Sequence, residues 1–194
     1  RMVADDTTFD VEQVRLEAGS LLDVGDLTDN RFEGPIFVPL DHIPQLADNE
    51  RFHDVMIISS VLTSGQTLDL LPLGTVTTVD QRYVFDGDVT VQSTATLNLH
   101  EDVRVSINPN AIVTVDGVMD VDAADSITFV DAGAGNLTGI DVNGLLDLAH
   151  TQIIKASNGG GLTRIIVHIG GRLVADNTTF GVEEIEFEPG SLLG

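Results

Sequence analysis

Residues 107–121 read INPNAIVTVDGVMDV, and residues 140–148 read IDVNGLLDL. Apolar and polar residues alternate over three to five positions in both stretches, which is typical of β-strands that bury one face. The triplets that open this pattern recur at nearly equal steps, beginning at Val89, Val113, Ile140 and Val167. Each is followed by two further short apolar segments. The sequence therefore predicts coils of three short strands each.

Repeats of this length cannot bury their apolar faces alone, so they stack and pair each strand in parallel with its equivalent one layer along. The predicted fold is an all-β parallel β-solenoid. One inward column is predicted at Val91, Val115, Val142 and Ile169, and a second at Leu97, Met119, Leu146 and Leu173. Glycines recur between the first and second strands, where we expect positive φ or close backbone approach: Gly117, Gly144 and Gly171. In residues 62–83 we expect strands near 67–70, 76–79 and 83–85.

The stretches at residues 107–121 and 140–148, together with GGRLVADNTTF at residues 170–180, resemble coils of right-handed parallel β-helices. This is the pectin-lyase-like architecture of exported bacterial enzymes, adhesins and large repetitive surface proteins. The resemblance covers residues 55–194 and again residues 1–23, and it implies an extracellular or cell-surface location. Because it is a pattern of layers and contains no catalytic signature, it specifies a fold more closely than a function.

The two ends of the chain match each other. Residues 1–23 and 172–194 are identical at 14 of 23 positions when Arg1 is aligned with Arg172. We interpret the chain as a single solenoid domain, in which residues 1–23 form a coil equivalent to residues 172–194. Residues 26–54 form a loop excursion, and residues 55–171 form stacked coils. Either the sequence is one period of a longer tandem array, or the fold begins and ends with equivalent layers.

The composition excludes several classes of function. With 9 basic and 31 acidic side chains the net charge is −22, which excludes nucleic-acid phosphates as a main partner. No run of 18 apolar residues predicts a membrane span. There is no cysteine, so no disulfide or thiolate metal site is expected. The sequence opens at Arg1 without a signal-like segment, and we therefore expect it to belong to a longer or processed product.

Residues 26–54 break the strand pattern and contain Pro35, Pro39 and Pro44. Because proline cannot donate to a central ladder, we expect this segment to cross the outside of the solenoid, with one helical turn at residues 45–49. Two interpretations remain open. Its phenylalanines pin the loop over a coil edge, or the segment binds a glycan or surface protein through Asp41, His42, Arg51 and His53.

Stacking also predicts an acidic ladder. Asp120 and Asp147 should be neighbours on one outward face, continuing Asn98, and Asp122 and Asp125 lie in the adjacent turn. Close carboxylates repel, share a proton or hold a cation, and Ca²⁺ is the candidate ion for this set, although the fold requires no cofactor. The same pair has the spacing of a retaining glycosidase, which leaves a polysaccharide lyase or hydrolase as a third class of function. The sequence favours a protein that is not an enzyme.

The end-to-end match favours a structural role. If the terminal coils are equivalent, head-to-tail stacking of copies is a heterologous contact that does not close, and it builds a filament, stalk or surface layer. A tandem array would give the same rod. The partner is then the chain itself, through the apolar residues of both end coils: Met2, Val3, Phe9, Val11, Leu16, Leu21, Leu173, Phe180, Val182, Ile185, Phe187 and Leu192.

Overall fold

The computed structural model of the chain describes residues 1–76, 81–122, 124, 126–130, 137–156 and 161–194. It is an all-β parallel β-solenoid of about six turns, with three strands in each turn. The fold class predicted from the repeat pattern is therefore confirmed. Throughout the described ranges, neighbouring strands of the three long sheets run parallel and in register.

Six short strands and one helix precede the regular coils. The second three strands pair with the first three in the same order, so that they form a second layer. A 3₁₀ helix, Leu40–Leu46, follows them, with Pro39 at its N-cap and Pro44 inside it. The strands are β1 (Ala4–Asp5), β2 (Thr8–Phe9), β3 (Val14–Arg15), β4 (Leu27–Thr28), β5 (Arg31–Phe32) and β6 (Ile36–Val38).

The remaining strands form six coils of three. In chain order they are β7 (Asp54–Ile57), β8 (Ser60–Leu62), β9 (Thr67–Leu70), β10 (Arg82–Phe85), β11 (Val89–Val91), β12 (Thr96–Leu99), β13 (Arg104–Ile107), β14 (Ile112–Val115), β15 (Val118–Asp122), β16 (Ser126–Val130), β17 (Leu137–Val142), β18 (Leu145–Ala149), β19 (Gln152–Ala156), β20 (Leu162–Val167), β21 (Arg172–Asp176), β22 (Thr179–Gly181), β23 (Glu184–Phe187) and β24 (Leu192–Leu193).

Three long sheets run along the solenoid axis. Sheet 1 is ordered β22-β19-β16-β13-β10-β7-β6-β3, sheet 2 is β23-β20-β17-β14-β11-β8, and sheet 3 is β24-β21-β18-β15-β12-β9. Two small sheets, β1-β4 and β2-β5, complete the first coils. In the described residues, only sheet 1 is common to the first coils and to the six regular ones.

The inward columns agree with the sequence prediction at all but one position. Leu97, Met119, Leu146 and Leu173 are in register and buried. Val91, Val115 and Val142 are also in register, but the next member of that column is Val167. The prediction of Ile169 was wrong, because β20 ends at Val167 and the chain turns at Gly170, which leaves Ile169 exposed.

The corner glycines are required by close backbone approach. A Cβ on Gly144 would collide with the carbonyl oxygens of Gly117 and Asp116 in the layer below. Gly117 and Gly171 face the same kind of collision, with the Ala95 and Val142 carbonyls respectively. Of the two reasons expected from the sequence, positive φ plays no part at these three positions.

The segment 26–54 is less irregular than the sequence indicated. Its first part forms β4, β5 and β6, which belong to the solenoid, and only residues 39–53 leave the strand pattern. Pro35 immediately precedes β6, so its missing N–H costs no ladder bond inside that strand. The helical turn was expected at residues 45–49, but the 3₁₀ helix lies at Leu40–Leu46.

The poorly patterned stretch before Tyr83 contains two of the three strands expected there. Strand β9 occupies Thr67–Leu70, and strand β10 occupies Arg82–Phe85. The third expected strand, at 76–79, falls largely on residues 77–80, which lie outside the described residues. The predictions for β9 and β10 are therefore confirmed.

Candidate assembly site

The two end coils have the same local structure. Asp6 and Asn177, which occupy equivalent positions in the two matching segments, both have positive φ, at 47° and 46°. Gly19 and Gly190, a second equivalent pair, also have positive φ, at 81° and 97°. The Ser20 N–H donates to the Glu17 carbonyl at 2.9 Å, and the equivalent bond from Ser191 to Glu188 measures 3.0 Å. The sequence match therefore corresponds to a structural match.

The predicted assembly residues divide into three groups by exposure. Val3, Val11 and Leu21 are exposed at one end, and Phe187 and Leu192 at the other. Five are partly buried against the core: Met2, Phe9, Phe180, Val182 and Ile185. Leu16 and Leu173 are buried, so their side chains line the core just inside the ends and offer no outward surface.

A stack of aromatic rings runs through the first coils. Phe9 and Phe32 stack with ring centroids 4.9 Å apart, and Phe32 and Phe52 stack at 5.1 Å. Phe32 and Phe52 are fully buried. The interpretation that phenylalanines pin this segment to the solenoid is thus supported for both, whereas Phe37 lies under the Arg15 guanidinium, 5.1 Å from the ring centroid.

Two buried asparagines support the same coils. Asn49 donates from Nδ2 to the carbonyls of Leu27 (3.1 Å) and Leu46 (2.9 Å), and its Oδ1 accepts from Asn30 Nδ2 at 2.9 Å. Asn30 in turn donates to the Ala4 carbonyl and accepts from the Thr7 N–H, both at 3.0 Å. Sequence reasoning missed this network. The signal was the recurrence of Asp-Asn before an aromatic residue, in DNRF at 29–32 and DNERF at 48–52.

The predicted ligand-binding residues each have contacts of their own in the structure. His42 is buried, and its Nε2 donates to the Ser20 carbonyl at 2.9 Å, which attaches the 3₁₀ helix to the first coil. Asp41 is exposed beside it, with Oδ1 3.0 Å from His42 Nδ1. Arg51 contacts Glu33 at 3.5 Å, and His53 contacts Asp54 at 3.5 Å. Asp41 and His42 thus contact each other, and Arg51 and His53 each contact a neighbouring carboxylate.

A groove lies beside the 3₁₀ helix. It has a volume of about 300 Å³, and its lining is mainly apolar but includes the Asp69 carboxylate. The other lining residues are Ile43, Pro44, Ala47, Thr67, Leu68, Leu71, Leu73 and Tyr83. The Tyr83 hydroxyl donates to the Leu71 carbonyl at 2.6 Å, and burial raises the pKa of this phenol well above its usual range. Asp41 borders a smaller neighbouring groove of about 180 Å³.

The acidic ladder exists in the predicted register. Asp120 is paired with Asp147 on one side and with Asn98 on the other. Desolvation, followed by the nearby charges of Asp147 and Asp122, raises the pKa of Asp120. Asn98 is paired in turn with Asp69 in the next layer. Hydrogen bonds from His100 and Asn98 lower the pKa of the Asp69 carboxyl.

The ladder contains two adjacent carboxylates and no larger group of donors. Within the described ranges, no cluster of three or more His, Asp or Glu side chains is arranged to hold a metal ion. Asp125 lies outside the described residues, and Asp122 pairs with Ala149 in the next layer. The Ca²⁺ hypothesis therefore stays a prediction. The same described ranges contain no helix long and apolar enough to cross a bilayer.

Comparisons with known proteins gave no match: no family model, no curated protein and no solved structure is similar to this chain at a significant level. The geometry of the chain is accordingly the basis for any functional conclusion.

Proposed function

We propose that this chain is a structural repeat unit, which extends end to end into a solenoid rod. Such a rod would serve as an extracellular filament, stalk or surface layer. The observation that carries the proposal is the equivalence of the two end coils in both sequence and backbone conformation. Because the two end coils are equivalent, each copy that joins one end of the rod leaves a free end of the same kind. Growth by such a heterologous contact does not close into a ring.

The exposed apolar residues support this proposal. Val3, Val11 and Leu21 are exposed in the first coil and Val24 just after it. Phe187, Leu192 and Leu193 are exposed in the last coil and Ile169 just before it. Large apolar side chains left exposed together on a protein surface mark interaction sites. A solenoid end also leaves unpaired backbone N–H and C=O groups, which a further coil would satisfy.

The test is electron microscopy of native, undigested material together with the intact mass of its chains. We expect rods with the width of a single solenoid. Chains of about 20.7 kDa would mean non-covalent assembly, and much heavier chains would mean a tandem array. Discrete particles of uniform size at all concentrations would contradict the proposal.

A binding module is the second candidate function, and the apolar groove beside the 3₁₀ helix favours it. In that role Asp41, at the smaller neighbouring groove, together with Arg51 and His53 in the segment after the 3₁₀ helix, would contact a glycan or surface protein. Deleting residues 26–54 is a poor test, because they include Phe32, Leu46 and Phe52, which are fully buried. Binding of the Asp41→Ala/Arg51→Ala variant to a glycan array is a better one. Unchanged binding by the variant would contradict the role of these residues.

A polysaccharide-active enzyme is the weakest candidate. Its only support is the adjacency of Asp120 and Asp147 in the ladder. Retained cleavage of a polysaccharide by an Asp120→Ala/Asp147→Ala variant would remove these two residues as catalytic candidates.

A further inference from the structure

The chain contains one coil sequence twice, and each copy has a different face covered. We call the side of a coil that faces the following coil its upper face, and the side that faces the preceding coil its lower face. Residues 1–23 are covered on the upper face by the next coil, and residues 172–194 are covered on the lower face by the preceding coil. Leu22 is 8% exposed, whereas its equivalent Leu193 is 71% exposed. Leu16 is 6% exposed and its equivalent Phe187 is 40% exposed. A coil covered on both faces would bury all of these side chains.

The upper face of the first coil shows what this coil sequence binds. Arg1 forms an ion pair with the buried Asp26 at 2.6 Å, which lowers the pKa of that carboxyl. Phe9 stacks on Phe32, the Ala4 carbonyl accepts from Asn30, and the Ser20 carbonyl accepts from His42. The last coil retains every one of these groups at the equivalent positions: Arg172, Phe180, Ala175 and Ser191.

The lower face of the last coil shows the other half of the contact. Glu183 binds Lys155 Nζ at 2.6 Å and accepts from the Thr163 N–H at 3.0 Å. Glu188 accepts from the Ile169 N–H at 3.2 Å and lies 3.2 Å from His168. The first coil retains both carboxylates at the equivalent positions, as Glu12 and Glu17.

We infer that two copies join by overlapping one coil: residues 172–194 of one copy take the place of residues 1–23 of the next and lie directly under its β4, β5 and β6. This inference rests on the proposed function and specifies its junction. The alternative, in which coil 1–23 of one copy lies on coil 172–194 of the other with equivalent strands aligned, brings Glu12 beside Glu183 and Glu17 beside Glu188. Like charges at neighbouring positions oppose that arrangement.

In this overlap, the first coil (residues 1–23) is the one that is displaced. Its strands β1, β2 and β3 pair over two residues each. The last coil is held more extensively, because β21, β22 and β23 pair with the preceding layer over five, three and four residues. Exchange therefore releases a weakly paired coil and keeps a strongly paired one.

The overlap also sets how successive units are oriented. Strand β3 lies in sheet 1, whereas its equivalent β23 lies in sheet 2. When residues 172–194 occupy the position of residues 1–23, sheet 2 of one copy continues as sheet 1 of the next. Each unit is then rotated by one face about the rod axis.

Engineered cysteines provide the test, because the chain has none of its own. Thr8 is paired with Arg31, so a disulfide between Thr8→Cys and Arg31→Cys would lock the first coil in place within one chain. The overlap predicts that this oxidised variant forms no rods and that reduction restores them. Rods formed equally well by the oxidised variant would overturn the inference.

A second variant reports the junction directly. Thr179 is the equivalent of Thr8, so Thr179→Cys with Arg31→Cys should give disulfide-linked multimers. Within one chain these positions are about six layer steps apart, roughly 29 Å at about 4.8 Å a step, which is too far for a disulfide. Thr179→Cys with Thr8→Cys is the matched control for direct stacking, and multimers from that pair alone would overturn the overlap. Absence of rods from the wild-type chain would instead contradict the proposed function.

Discussion

Single residues at the corners of the coils decide how closely the layers approach. Gly117, Gly144 and Gly171 recur at equal intervals, and this spacing alone predicts a structural role for them. What the sequence did not determine was the reason, because positive φ and close approach both favour glycine. In the structure the reason is close approach, because carbonyl oxygens of the preceding layer occupy the space that a Cβ would need.

We expect Gly144→Ala to lower the free energy of unfolding by about 2 to 3 kcal/mol, since backbone atoms of two layers must move apart. Chemical denaturation measures this. Gly181→Ala is the matched control, because its added Cβ would lie 3.2 Å from the Ile153 carbonyl and needs only a small adjustment. An equal effect of the two substitutions would contradict the role given to the Gly144 corner.

The acidic ladder leads to a prediction about pH. Because the pKa of Asp120 is raised in the fold, its ionisation opposes folding as pH rises above the unfolded value of about 3.9. Asp120→Asn should therefore stabilise the protein at pH 7, by less than about 1 kcal/mol because the group is largely exposed. The gain should vanish below about pH 3, where both states bind the proton.

Thermal unfolding of Asp120→Asn across this pH range checks the prediction. Asp48→Asn, at an exposed position outside the ladder, is the control and should show no comparable gain. Destabilisation of Asp120→Asn at pH 7 would mean that the carboxylate has a favourable partner, which a bound cation would supply.

At the scale of elements, the strands were more predictable than the segment that joins them. Period-2 alternation identifies a half-buried strand, and equal spacing gives its register, so columns such as Leu97-Met119-Leu146-Leu173 could be predicted. The triplet ending at Ile169 was misplaced by two residues, because Ile165, Ile166 and Val167 continue the apolar run without alternation. Periodicity cannot assign register in such a run.

Residues 26–54 were predicted less well for a related reason. Proline and polar residues marked the segment as irregular, whereas buried side-chain hydrogen bonds allow it to form a coil. Asn49 donates to the carbonyl of Leu27, in β4, and to that of Leu46, at the end of the 3₁₀ helix. This compensation depends on three-dimensional contacts, and alternation does not reveal it.

We expect Asn49→Ala to destabilise the protein by about 3 kcal/mol or more, because several buried polar groups lose their partner at once. Asn143→Ala is the matched control. Asn143 donates to Asp116 at 2.8 Å on the exposed surface, and its loss should cost under about 1 kcal/mol. Similar losses of stability in the two variants would contradict the structural importance of the asparagine network.

At the scale of the whole molecule, the charge of −22 opposes contact between copies. Raising the salt concentration from 0.01 to 0.15 M shortens the screening length from about 30 to about 8 Å. Rod formation followed by light scattering should therefore accelerate with NaCl, and should not with sucrose at matched osmolarity. Salt-independent assembly would contradict this role of charge.

Calcium provides a related comparison. CaCl₂ at the same ionic strength should accelerate assembly beyond NaCl if the Asp120 and Asp147 ladder binds Ca²⁺, and the excess should disappear in Asp120→Asn/Asp147→Asn. Equal effects of the two salts would contradict the calcium hypothesis and leave the rod proposal unchanged.

The most direct test of the central claim is the axial repeat of the rods, measured by cryo-electron microscopy with helical reconstruction. Sheet 1 has eight strands in the described residues, so its end strands β3 and β22 are seven layer steps apart. Strand β23, the equivalent of β3, follows β22 one face later, which adds about a third of a step. The account predicts a layer spacing of about 4.8 Å along the axis and a unit rise of about 35 Å, with each unit rotated by one face. Strands running parallel to the rod axis, or units joined side by side, would contradict the claim that this chain continues itself end to end.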